Sequence, residues 1–163
     1  MSTGKHAPWR LRAYVESLER ALQESTARDF LLFSDYTISA IPSHQIAIDG
    51  IALCADSLRI EFHQTVRILG AGDNPLVVLT KYRYHVHAEG VGPVLRYDPP
   101  HTDDHRPFDH VHTFETLTTG RETVDPIWRV EDIPLLNDVL EQAEAWHAVN
   151  AADLRARRLL KAS

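Results

Sequence analysis

The strongest constraint on the fold is a pair of segments in which apolar and polar residues alternate. In residues 58–69 and 76–87, mostly apolar side chains occupy every second position, with polar or charged side chains between them. Successive side chains of a strand point to opposite faces, so this period predicts two half-buried strands. Residues 70–75 separate them and contain two Gly and one Pro, which is typical of a turn and predicts antiparallel pairing.

The alternation assigns side chains to two faces of the predicted sheet, one apolar and one polar. On the second strand, the apolar face is predicted to consist of Leu76, Val78, Tyr82, Tyr84 and Val86. With the neighbouring strands included, the polar face is predicted to consist of Glu61, His63, Arg67, Lys81, Arg83, His85, His87, Arg96 and Asp98.

An earlier segment, residues 44–53, also has the composition of a strand, but its apolar period is interrupted. Ile46 and Ile48 share one phase, and Ile51 and Leu53 share the other. A change of phase inside a strand is typical of an extra residue in the ladder. We therefore predict a bend or bulge at Asp49-Gly50.

Helical periodicity flanks these strands, because apolar residues near both ends of the chain recur at the spacing of one helical face. We therefore predict an α+β protein with one domain over residues 1–163, built around an antiparallel β-meander of five to six strands. Its predicted parts are a flexible segment (1–8), an N-terminal helix (9–29), the sheet (30–130) with a His-rich loop (98–112), and a long C-terminal helix (133–160).

Charge and cysteine content restrict the setting and the partners. The chain has 17 Lys and Arg against 23 Asp and Glu, a net charge of −6, which argues against nucleic-acid binding by charge alone. Residues 98–153 hold 3 basic and 13 acidic residues, a net of −10, and would suit a basic partner. The lone Cys54 and the lack of any apolar run near the ~20 residues that cross a bilayer predict a cytoplasmic protein without membrane contact.

The polar face has two interpretations. The exposed face of an antiparallel sheet is ordinarily polar, so these residues can form a solvated surface. Lys and Arg also bind phosphate oxygens, while His and carboxylates transfer protons near neutral pH. A face with this mixture could therefore bind an RNA backbone and cleave it.

Histidines are concentrated after the second alternating strand, with six of the ten between positions 85 and 112. On a strand, His110 and His112 would share one side, a spacing that a divalent metal can bridge. Without nearby thiolates, N and O donors would favour zinc, manganese, iron or nickel. The same imidazoles could instead transfer protons, or anchor the loop to the sheet by hydrogen bonds. Further ligands could come from His101, His105, Asp98 or Asp109.

Three short runs give the chain a resemblance to a known family. They are Tyr82-x-Tyr84-His85, Arg96-Tyr97-Asp98-x-Pro100-His101 and Phe108-x-His110-x-His112. With these runs the chain resembles the TumE-like toxins, which are the toxin halves of prokaryotic toxin–antitoxin pairs, and the resemblance covers most of its length. The chain departs from the family pattern, which has Asn, His, Pro and Lys, at Pro99, Thr102, Asp109 and Val111.

The resemblance implies a toxin that inhibits growth, with a helix-turn-helix antitoxin as its partner. Together with the polar face, it leads us to expect a cytoplasmic, metal-independent endoribonuclease that acts on RNA, with a homodimer as a possible assembly. We expect the catalytic residues to be His101, His110, His112, Asp98 and Arg96. We expect the substrate to be bound by Lys81, Arg83, His85 and Tyr97.

Two alternatives remain open on the sequence alone. In the first, the chain is a metal-binding protein in which His101, His110 and His112 hold a divalent transition metal such as zinc. In the second, the chain catalyses no reaction, and its polar face and acidic segment dock a basic partner.

Overall fold

The computed structural model describes residues 7–100, 108–114 and 121–163. The first six residues, and with them most of the segment predicted to be flexible, lie outside these ranges. Within these ranges two helices and eight strands are formed, with single 3₁₀ turns at Ala55–Ser57 and Val130–Asp132. In chain order they are β1 (Trp9–Arg10), α1 (Leu11–Ala27), β2 (Leu31–Ile41), β3 (Gln45–Cys54), β4 (Leu58–Leu69), β5 (Leu76–Ala88), β6 (Gly92–Asp98), β7 (His110–Phe114), β8 (Glu122–Pro126) and α2 (Leu136–Ala162).

The strands form one antiparallel sheet in the order β2-β3-β4-β5-β6-β7-β8, so each strand lies beside its neighbour in sequence. The two-residue β1 pairs with the start of β5, where Trp9 is opposite Val77. The predicted α+β class and the antiparallel meander between two helices are confirmed. The sheet is wider than the predicted five to six strands, because β7 and β8 continue it and β1 joins it.

Both helices pack on the same face of the sheet. Buried residues of α1 recur every three or four positions, and α2 buries a similar stripe near its N-terminus. Two hydrogen bonds link these helices to that face: Tyr14 donates to Gln64 of β4 at 2.6 Å, and Tyr97 of β6 donates to Gln142 at 2.6 Å. The largest fully buried apolar side chains of the core include Tyr84, Leu31, Ile48, Leu58, Ile60, Leu136 and Leu140.

The predicted bulge at Asp49-Gly50 is wrong. β3 pairs with β4 in an unbroken register from Gln45 to Leu53, and Gly50 is opposite Phe62. A Cβ on Gly50 would lie only 2.2 Å from Cζ of Phe62, so the phenyl ring occupies the space above the glycine. The core position that Gly50 leaves vacant is thus filled from the neighbouring strand. Ala52 and Cys54 continue the buried phase, whereas Ile51 and Leu53 lie on the other face, opposite Glu61 and Arg59.

A bulge does occur in β5, where the sequence predicts a regular strand. Thr65 is opposite Lys81 and Val66 is opposite Leu79, which leaves Thr80 as the extra residue. The Thr80 hydroxyl donates to the backbone oxygen of Thr65 at 3.0 Å. The bulge reverses the phase of the preceding residues, so the predicted placement of Leu76 and Val78 on the apolar face is wrong: Val77 is fully buried and Leu79 faces the core with it.

Among the residues that the structure describes, no helix carries an apolar stretch of membrane-spanning length.

Candidate functional site

The polar face is assembled from four adjacent strands, β4 to β7. Cross-strand partners share a face of a sheet, and the register pairs His63 with Arg83, His85 with Arg96, and Arg96 with His112. Asp98 is opposite His110. Residues predicted from three separate segments are therefore brought together on the face opposite α1 and α2.

A groove of about 430 Å³ crosses this face between β2 and β5. Its lining includes Asp49, His63, Arg83 and His85, together with Arg59 and Glu61. Arg59 and Glu61 form an ion pair with an N–O distance of 3.0 Å. The groove therefore combines imidazoles, carboxylates and guanidinium groups in one concave surface.

His63 is held by Asp49 across the β3–β4 pair. Its Nδ1 lies 2.5 Å from Asp49 Oδ1, and its Nε2 lies 3.1 Å from Thr65 Oγ1. A carboxylate can only accept, so the neutral ring carries its proton on Nδ1, and Nε2 accepts from the Thr65 hydroxyl. The His63 side chain is 40% exposed, which leaves the ring open to the groove. This pair is missed by the sequence-based site, because the predicted bulge at Asp49 removes it from register with His63.

Asp98 is the central acceptor at the β6 end of the face. Its carboxylate is buried, with Oδ2 2.5 Å from Arg96 Nε and Oδ1 3.5 Å from His85 Nε2. Burial raises the pKa of Asp98, but the nearby His85 imidazole and the charge of Arg96 outweigh it and lower the pKa to about 2. Asp98 is therefore an anion throughout the physiological pH range.

His112 is neutral and its tautomer is fixed by its partners. Nε2 lies 3.0 Å from Arg96 Nη2, and a guanidinium can only donate, so Nε2 carries a lone pair. Nδ1 carries the proton and donates it to the Glu122 carboxylate. Burial lowers the pKa of His112, and the charge of Arg96 lowers it further against the opposing effect of Glu122.

His110 lies beside His112, with ring centroids 4.9 Å apart, and is fully buried. Its Nδ1 is 3.0 Å from the backbone oxygen of Phe108. A carbonyl oxygen only accepts, so Nδ1 carries the proton of the neutral ring and Nε2 carries the lone pair. The neighbouring Asp109 instead accepts from the Tyr82 hydroxyl at 2.6 Å, which directs its carboxylate away from the two imidazoles.

The structure brings together most of the residues predicted for the site. The exceptions are Tyr97, which lies on the other face, and His101, which lies outside the described ranges. Lys81 shares the polar face and is opposite Thr65. Tyr97 is on the other face, since it is adjacent to Arg96 in the same strand, and its hydroxyl contacts α2. Its predicted role in substrate binding on the polar face is therefore not supported. His101 and His105 are among the residues that the structure does not describe.

One cluster within the described ranges has the donor atoms of a metal site. Asp98, His110 and His112 each offer a ligand atom, and these atoms lie within 4.8 Å of one another. The sequence predicts the His110 and His112 pair from their spacing, with Asp98 as one of several candidate neighbours. The third member is identified only by the β6–β7 register.

Comparison of the chain with known protein families, with curated proteins and with solved structures finds no match.

Proposed function

We propose that this chain is the growth-inhibiting toxin of a toxin–antitoxin pair and that it cleaves RNA in the groove on its polar face. The observation that carries the proposal is a pair of imidazoles, His63 and His85, each facing a carboxylate and each a neighbour of Arg83 on the same face. Proton donors and acceptors of this kind, next to a guanidinium cation, are what phosphodiester cleavage requires.

The spacing of the two imidazoles suits a phosphate between them. His63 is directly opposite Arg83, and His85 is two residues further along β5 on the same face. Diagonal neighbours of this type in an antiparallel pair lie about 7–8 Å apart at Cα. A phosphate bound by Arg83 would then have one imidazole near its attacking oxygen and the other near its leaving oxygen.

The reaction that fits is transfer of the phosphate to the neighbouring 2′-hydroxyl. His63 Nε2 exchanges Thr65 for the 2′-hydroxyl and takes its proton, and the 2′-oxygen bonds to phosphorus. The bond from phosphorus to the 5′-oxygen breaks, and a protonated His85 gives a proton to that oxygen. The products are a 2′,3′-cyclic phosphate and a 5′-hydroxyl, and proton exchange with water restores both rings. Arg83 compensates the charge that develops on the phosphate oxygens.

This proposal moves the acid and base from His110 and His112 to the more exposed pair. His110 and His112 are 0% and 1% exposed, whereas the side chains of His63 and His85 are 40% and 37% exposed. A phosphate that enters the groove therefore meets the exposed pair first. Asp98 keeps its predicted role of orienting an imidazole, namely His85.

The biological part of the proposal rests on the resemblance to TumE-like toxins. That resemblance supports a helix-turn-helix antitoxin as the partner, and the acidic residues between 98 and 153 would suit a basic surface on it. Growth and total RNA after induction, with and without the chromosomal neighbour of the gene, test this part directly. Growth that is unaffected without the neighbour would contradict the toxin assignment.

The chemical part is tested with purified protein and a short RNA oligonucleotide. We expect products that end in 2′,3′-cyclic phosphate, and no cleavage of the same oligonucleotide with 2′-deoxyribose at the scissile position. Loss of one acid or base typically costs about 10²–10⁴-fold in rate, so His63→Gln and His85→Gln should each lose at least about 100-fold.

A matched control is available on the same strand. His87 lies two residues beyond His85 on the same face but does not line the groove, so His87→Gln should cleave RNA at the wild-type rate. If the wild-type protein binds RNA without cleaving it, the groove is a docking surface and the proposed reaction is refuted. Wild-type rates in both His63→Gln and His85→Gln would refute the assignment of the two imidazoles.

A further inference from the structure

The buried cluster beside the groove has the composition and the supporting contacts of a metal centre. We propose that Asp98, His110 and His112 bind a divalent transition metal ion, with zinc as the best match. Two imidazole nitrogens and one carboxylate oxygen are a common ligand set for zinc and related ions, and they leave a fourth position open. All three residues are buried, which would shield such an ion from bulk water.

The distances require only a modest closure of the cluster. The ligand atoms lie within 4.8 Å of one another. Two atoms that both bind one zinc ion at ~2.1 Å are roughly 3.4 Å apart in a tetrahedron. Small rotations of the imidazoles and the carboxylate would therefore bring all three atoms to coordination distance.

The hydrogen bonds around the cluster are those that orient metal-binding imidazoles. His112 donates from Nδ1 to Glu122, and His110 donates from Nδ1 to the Phe108 carbonyl. Each bond places the proton on Nδ1 and leaves the lone pair on Nε2, and Nε2 of His112 lies 3.6 Å from Asp98 Oδ2. Metal-binding His residues almost always have such an acceptor on the second nitrogen. This arrangement is an observation independent of the ligand spacing.

A cation already contacts two of the three residues, because Arg96 donates to His112 Nε2 at 3.0 Å and to Asp98 Oδ2 at 2.5 Å. The Arg96 side chain is 38% exposed, so its guanidinium can move toward solvent. An incoming metal ion would compete with it for the same two atoms. His85 faces the other carboxylate oxygen, Oδ1, so it can keep its contact when the metal is bound.

This competition gives a test in which one variant should bind metal better than the wild type. Co²⁺ is the probe, because its visible absorption reports coordination by nitrogen and oxygen, and it is titrated into the full chain after treatment with EDTA. We expect Arg96→Gln to bind Co²⁺ at least about tenfold more tightly than wild type. We expect His112→Gln and Asp98→Asn to lose binding, and His87→Gln to bind like wild type.

Glu122→Gln provides a variant that does not change a ligand. The Glu122 side chain is 44% exposed, so the substitution should leave the fold intact. Loss of such a supporting carboxylate typically weakens metal binding about 10- to 100-fold, and we expect that loss here. Equal Co²⁺ affinity in wild type, His112→Gln and Glu122→Gln would overturn the proposal. An Arg96→Gln affinity no higher than that of wild type would overturn the competition.

The metal site does not depend on the proposed RNA cleavage, and the two can fail separately. Cleavage through His63 and His85 requires no metal, so it should persist in EDTA. Co²⁺ binding is read from absorption rather than from activity. Binding without cleavage would support the metal site and refute the reaction, and cleavage without binding would do the opposite.

Discussion

Replacing Gly50 by Ala tests how β3 and β4 are held in the register that places Asp49 opposite His63. An ideal Cβ on Gly50 lies 2.2 Å from Cζ of Phe62 and 2.7 Å from both Cε atoms. Carbon atoms in good contact are about 3.5–4.0 Å apart, so the ring tip would have to move by more than about 1 Å. Phe62 is only 3% exposed, and the core around it leaves little room for that movement.

Whether Gly50→Ala raises or lowers the free energy of unfolding shows whether the space above Gly50 is empty or filled. Gly50 is not among the residues with a positive φ, so its backbone conformation is open to Ala. If the space above it were empty, Ala would stabilise the protein by about 0.4–1 kcal/mol by restricting the unfolded chain. Overpacking in a core instead costs about 1–3 kcal/mol. We therefore expect Gly50→Ala to lower the free energy of unfolding by about 1–2 kcal/mol.

Urea unfolding followed by circular dichroism measures this change, with an unchanged m-value showing that the folded state stays compact. For a chain of this size the melting temperature should fall by several degrees, since 1 kcal/mol corresponds to about 2–4 °C. In a Phe62→Leu background the ring is absent, and Gly50→Ala should become neutral or stabilising. A stabilising Gly50→Ala in the wild-type chain would refute the ring as the reason for the glycine.

Two further predictions concern stability. Hydrogen bonds from Arg155 and His147 outweigh the opposing effect of burial and lower the pKa of Asp56. The stabilisation by the ionised carboxylate is therefore fully present above the unfolded-state pKa of about 4, and it is lost as pH falls through the folded-state pKa. Asp56→Asn should therefore be less stable than wild type at pH 7, with the difference shrinking below pH ~4, and a pH-independent difference in urea unfolding would contradict this. Gln64 accepts from Tyr14 at 2.6 Å and donates to Tyr84 at 2.7 Å in the core. Each bond contributes about 1 kcal/mol and Gln64→Leu also leaves the Tyr14 hydroxyl without its acceptor, so this substitution should lower the free energy of unfolding by about 2–4 kcal/mol. Adding Tyr14→Phe should restore part of the loss. A loss below about 1 kcal/mol would contradict the network.

The helices and the two faces of the sheet follow from local periodicity. Burial of one face imposes a period of two on β4 and on the second half of β5, and the helical stripes impose a period near 3.6, so both are visible in the sequence. The helix bounds shift by a few residues, because α1 begins at Leu11 after the short β1, and α2 runs from Leu136 to Ala162.

The errors in the sheet come from contacts between strands. The bulge at Thr80 is set by the pairing of β5 with β4, and nothing in the local pattern marks which residue is extra. The glycine at position 50 is explained by Phe62, twelve residues later, whose ring fills the space that a side chain would need. Because a one-residue change in register moves every later side chain to the other face, these non-local contacts decide which polar residues meet.

The candidate site is predictable in part for the same reason. Alternation within β5 and β6 predicts that Arg83, His85 and Arg96 share one face of the sheet. The Asp49–His63 pair requires the β3–β4 register, which the sequence analysis does not provide. Burial of His110 and His112 could not be foreseen, because it depends on the β6–β8 pairing and on Glu122 from the last strand.

The placement of both helices against one side of the sheet has a consequence for how this protein can evolve. On β4 and on β5 from Lys81 onward, odd-numbered residues face away from the helices, so inherited changes there can alter chemistry while the interior stays intact. A lineage could therefore change the residues of the polar face one at a time while every ancestor still folds. At β6 and β7 this freedom ends, because Asp98, His110 and His112 belong to the polar face and are also buried.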